Sequence, residues 1–168
     1  MAFLVRKMAR SKWPQEKFME MDINDLSADA ITSCLRTSSA TLSTWEIDSM
    51  EDLEDAVLAL VAASQKIDTM FVVSIDKEKI INNGFQIEET PGKTLVEDLV
   101  ETHKDIAGLT YQTIGTFASI MLESLHEEQV YRFTASKLKK ILMNAIENGR
   151  LDKEALNEDM LRKLKLSA

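Results

Sequence analysis

Five carboxylates fall within eight positions of this chain: Asp48, Glu51, Asp52, Glu54 and Asp55. Acids four residues apart, as Asp48 and Asp52 or Glu51 and Asp55 are, share one face of a helix and could hold a divalent ion between them. The residues around them point to a simpler role. Ser49 with Asp52 three positions later has the pattern of a capping box, and acids in a first helical turn meet unpaired amides and the positive end of the helix dipole. Leu53, Val57, Leu60 and Val61 continue as an apolar stripe at three- and four-residue spacing. With no histidine nearby to complete a donor set, the cluster reads as a helix start that holds no metal.

The two histidines, His103 and His126, fall on segments whose spacing predicts neighbouring helices, with Glu97, Glu101, Glu123 and Glu127 near them. Glu123 and His126 form one ExxH pair, but a paired-metal site in a helical bundle needs a second. Both histidines therefore read as surface or boundary residues. Cys34, the only cysteine, lies toward the C-terminal end of its predicted helix, where the dipole does not favour a thiolate, and reads as an inert buried side chain. There is no phosphate-binding glycine loop, CxxC pair, nucleophile elbow or zinc spacing, so no catalytic residue, metal or cofactor is assigned.

Two weaker patterns remain. In CLRTSSATLST, Arg36, Ser38 and Ser39 could cradle an anion through turn amides and hydroxyls, which makes them the candidate ligand-binding residues. Trp13, followed by Pro14 in the basic segment RSKWPQEK, either tucks under the fold or anchors another protein. Trp13, Glu51, Glu54 and Asp55 are the candidate protein-interaction residues.

Charge is distributed unevenly. The net value of -8 conceals a basic start, with five basic groups against one acid in residues 1–17. Residues 18–130 hold 22 acids and six basic groups, and residues 131–168 hold nine basic groups and five acids. Such a middle repels nucleic acid and suits a basic protein partner, unless folding lays the basic ends against it.

The elements that must position these groups follow from periodicity. AFLVR, TLSTWEI, TMFVVSI and FQIEE read as strands over residues 2–6, 41–47, 69–75 and 85–89, with a helix over 49–64 giving a βαβ-like order. A short helix capped by Ser27 precedes the second strand. From Thr94 onward the pattern reads as wholly helical: a Thr94–Glu97 capping box, a break at Gly108, a helix over 110–125, another capped by Thr134 and stopped by Gly149, and a last one beginning at Asp152. The expected fold is α+β, a small mixed sheet of about four strands with a helix-rich C-terminal half.

At 168 residues, with 45% apolar residues, 2 Pro and 5 Gly, the chain is expected to fold as a single domain, with a helical C-terminal subdomain over residues 94–168 as the alternative arrangement. A lone cysteine and the lack of a long apolar run give a cytoplasmic expectation, with no membrane or nucleic-acid role. The function expected is a non-enzymatic interaction or regulatory module with a protein partner, self-association being one form of it. The alternative is a small enzyme or polar-ligand-binding domain built on Arg36 and the hydroxyl-rich 37–44 segment.

Overall fold

The computed structural model describes residues 2–14 and 23–166. Among the described residues six strands form one sheet: β1 (Phe3–Met8), β2 (Leu42–Ile47), β3 (Met70–Asp76), β4 (Gln86–Glu89), β5 (His103–Ala107) and β6 (Val130–Phe133). Their spatial order is β4-β5-β2-β1-β3-β6, and every neighbouring pair is antiparallel. Because β2 and β3 both pair with β1, they run parallel to each other. The helix joining them, α2 (Leu53–Ser64), makes a βαβ unit with β1 inserted between its strands.

Strand alternation sends apolar side chains to both faces, and each face carries helices. Val5, Trp45, Ile47, Met70, Val72 and Phe133 face α2, α5 (Ala135–Glu147) and α6 (Glu158–Leu164). Leu4, Met8, Leu42, Val73, Ile75 and Ile106 face α1 (Ala28–Cys34), α3 (Lys77–Asn82) and α4 (Ile114–His126). The C-terminal helices thus pack on the sheet beside α2.

The α+β class holds, and two finer expectations do not. The sheet has six strands rather than four, and the C-terminal half contributes β5 and β6. The stretch from Thr94 forms a short 3-10 helix, Glu97–Thr102, followed directly by β5. Leu95, Val96, Leu99 and Val100 mimic a helical stripe, but the Thr94 hydroxyl donates to the Ala59 carbonyl of α2 at 3.2 Å instead of closing a capping box with Glu97. HKDIA then finds a strand partner on each side, which a local pattern does not register. Short VYRF pairs with β3 for the same reason.

Where local chemistry dominates, expectation and structure agree. The Ser49 side chain accepts from the Glu51 amide at 3.2 Å, and Asp52 accepts from the Ser49 amide at 3.2 Å, closing the capping box ahead of α2. Thr134 accepts from Lys137 N at 3.2 Å to start α5. Gly149 follows α5 with φ +73°, a conformation other residues rarely adopt. The last helix starts later than expected: Asp152 caps only the 3-10 turn Lys153–Ala155, and Asn157 caps α6.

Candidate functional site

Two directly opposed residue pairs on β2 and β5 define the most developed polar site. The register sets Ser43 against Asp105 and Trp45 against His103, all on the face that α2 covers in part. The chain after β4 turns over them, and Gly92 makes this approach feasible. A Cβ there would run into the Trp45 ring at Cη2 and lie 2.8 Å from His103 Cβ. The Gly92 amide donates to the Val100 carbonyl at 2.8 Å, fixing the segment in place.

Hydrogen bonding then sets the orientation of each group. Ser43 Oγ donates to Asp105 Oδ1 at 3.1 Å, and Thr90 Oγ1 donates to Asp105 Oδ2 at 2.9 Å. His103 Nδ1 lies 2.9 Å from the Thr90 carbonyl and 3.0 Å from Thr90 Oγ1. A carbonyl only accepts, and the Thr90 hydroxyl proton is already given to Asp105, so Nδ1 carries the hydrogen. In neutral His103 the lone pair is therefore on Nε2, which has no hydrogen-bond partner among the described residues. The Trp45 ring meets the imidazole edge-to-face at 5.1 Å and fixes its plane.

These groups line an open cavity of about 560 Å³, with Lys7, Lys93, Leu60, Ala63, Ser64 and Pro91 completing its wall. Two lysines supply positive charge, Asp105 supplies negative charge, and the last turn of α2 lies alongside. The arrangement can accept hydrogen bonds at His103 Nε2 and pair with an anion at the lysines.

The residues singled out from sequence lie elsewhere. Ser38 and Thr41 exchange backbone hydrogen bonds of 3.3 and 3.0 Å across a two-residue turn, in which Ser39 and Ala40 have φ of +54° and +60°. This turn satisfies its own backbone. Ser38 and Ser39 are exposed at its tip, Arg36 is exposed beside it, and none of the three lines the cavity around His103. Trp13 is 2% exposed and donates through Nε1 to Cys34 Sγ at 3.1 Å, so its indole belongs to the interior. Residues 15–17 of its segment lie outside the described residues.

Cys34 is buried, as expected, and its sulfur also accepts from the Ala9 amide at 3.0 Å. Arg6 donates to the Cys34 carbonyl at 2.6 Å and the Ser43 carbonyl at 3.4 Å, tying the end of α1 to β2. Burial pushes this guanidinium down to about 10, against the opposing influence of Cys34.

The acidic middle meets the basic C-terminal helices at several points. Glu54 pairs with Lys137 at 3.1 Å, Asp68 with Lys163 at 3.4 Å, and Arg150 reaches both Asp55 and Asp98 at 2.7 Å. The hydrogen bond to Asp55 outweighs desolvation and, with that to Asp98, holds Arg150 above its ordinary value. Of the three candidate interaction acids, Glu51 makes no ion pair among the described residues. His103 and His126 are also separated: one faces α2 from β5, the other ends α4 on the opposite side of the sheet.

Sequence reasoning missed the site because it placed His103 on a helix. The usable signal was the alternation of Ser43 and Trp45 in β2, which sends both to one face. Comparison with protein-family models, with curated proteins and with solved structures finds no match.

Proposed function

We propose that this chain is a polar-ligand-binding domain whose site is the cavity bounded by β2, β5, the end of α2 and the 90–93 segment. The observation that carries this reading is the state of His103. Its Nδ1 is committed to Thr90, its ring is fixed by Trp45 and Gly92, and its Nε2 remains uncommitted while the residue lines an open cavity. The Thr90 carbonyl and the Asp105-bound Thr90 hydroxyl both accept at Nδ1, which leaves the acceptor of the neutral ring at Nε2. The site differs from the one expected at Arg36, Ser38 and Ser39, although Ser43 belongs to the same hydroxyl-rich segment.

The test is to follow the ring resonances of both histidines while small polar molecules are added. Saturable movement of His103 with His126 unmoved supports the reading. Movement of neither histidine, with no change in melting temperature across the panel, rejects it.

A second reading keeps the interaction module. Glu46, Asp48, Asp52 and Asp55 line a smaller groove of about 250 Å³, with Glu51 exposed in the same capping turn, and a basic side chain of a protein partner fits such a groove. Native co-purification followed by association kinetics at two salt concentrations tests it. Glu51→Lys should slow association, more so at low salt, while leaving unfolding unchanged.

A further inference from the structure

We infer that the molecule taken by the His103 cavity is a small hydroxylated anion, a polyol carrying a phosphate or carboxylate group. This rests on the polar-ligand reading above and adds the ligand's chemistry.

The cavity is divided by charge. Lys7 lies on β1 beside β2, and Lys93 follows Gly92 on the overhanging segment, so two lysines line the cavity from different elements. Both are exposed, and among the described residues that line the cavity they outnumber the one carboxylate, Asp105. An anion is the species that two such cations recognise.

The rest of the wall presents acceptors. His103 Nε2 is an acceptor in the neutral ring, because Nδ1 donates to Thr90. Each Asp105 oxygen already accepts one hydroxyl and retains a further lone pair. The last turn of α2 adds the negative end of a twelve-residue helix. A bare anion held against these acceptors would lose part of what it gains from the lysines. A ligand with hydroxyl donors on the same small frame satisfies both halves, placing its charge at Lys7 and Lys93 and its hydroxyls toward His103 and Asp105. Leu60, Ala63 and Pro91 provide an aliphatic wall for its carbon chain.

Glycerol phosphate, inorganic phosphate and glycerol separate the two halves. Binding is read by the His103 ring resonances at constant ionic strength, with sodium chloride as the control. Glycerol phosphate should bind about tenfold more tightly than inorganic phosphate, and glycerol alone should bind more weakly than either. Lys7→Gln with Lys93→Gln should abolish the preference for phosphate over chloride. His103→Asn, which keeps an amide donor near Thr90 but loses Nε2 and is read instead by the Trp45 indole N–H resonance, should bring glycerol phosphate down to the affinity of inorganic phosphate.

Equal affinity for glycerol phosphate and inorganic phosphate overturns the hydroxyl half. A response matched by chloride, or unchanged in the double lysine variant, overturns the anion half. If neutral or cationic molecules move His103 and these anions do not, the inference fails while the ligand-binding reading stands. If no compound of the panel moves either histidine or the melting temperature, both fail.

Discussion

Trp13 donates its indole N–H to the sulfur of Cys34 across 3.1 Å, joining the segment after β1 to the end of α1. The same sulfur accepts the Ala9 amide, so one thiol satisfies two donors. Cys34→Ala should therefore cost about 1–3 kcal/mol, more than the small lost volume suggests, because two N–H groups lose their acceptor. Trp13→Ala should cost about 3–5 kcal/mol through the cavity it leaves. Urea unfolding checks both, with a lower midpoint expected at an unchanged slope. Wild-type stability in either variant would show that this contact contributes nothing net.

Gly92→Ala should displace the overhanging segment, because its Cβ has no room beside Trp45 and His103. A loss of about 1–3 kcal/mol is expected, accompanied by altered His103 ring resonances. Gly115, whose added Cβ would meet open space, is the control position. Gly115→Ala should leave those resonances where they are.

Ser49→Ala removes half of the capping box ahead of α2 and should cost about 0.5–2 kcal/mol. Asp52→Asn keeps a side-chain oxygen able to accept from the Ser49 amide and should cost less than the serine change. Thermal unfolding of the two single variants gives the order. Equal stability of wild type and Ser49→Ala would remove the cap from the account of how α2 begins.

Lys79 of α3 reaches Glu123 of α4 and Glu127, the residue that caps its C-terminus, at 3.3 and 3.0 Å. Desolvation by burial lowers its pKa, but the hydrogen bonds and charges of the two glutamates together raise it above the ordinary 10.5. A cation raised on folding contributes stability that is fully present below pH 10.5 and is lost as pH climbs through the raised value. Wild type should therefore lose its stability advantage over Lys79→Met as pH passes upward through that window. A difference between the two proteins that does not vary with alkaline pH would contradict this.

Local chemistry accounts for what the sequence determined. The Ser49–Asp52 box, the Thr134 cap and the positive φ at Gly149 each depend on residues within a few positions. The strand TMFVVSI carries enough buried branched side chains to be identified alone. Cys34 was likewise legible as a buried residue, but not the two donors that meet its sulfur, one of them 21 positions back along the chain.

Tertiary structure decided the rest, through pairings too distant in the chain for a local pattern to register. LVEDLVETH repeats like a helix, yet His103 lies in a strand because HKDIA pairs with β2 on one side and β4 on the other. Only that register sets His103 opposite Trp45 and Asp105 opposite Ser43, more than 50 positions apart in sequence. Lys7 joins them because β1 lies next to β2 in the sheet. The charge division also changed meaning on folding: Lys137, Arg150 and Lys163 lie against Glu54, Asp55, Asp98 and Asp68. A side chain's type is fixed by the sequence, but its partner is fixed by which strands and helices the buried surface brings together.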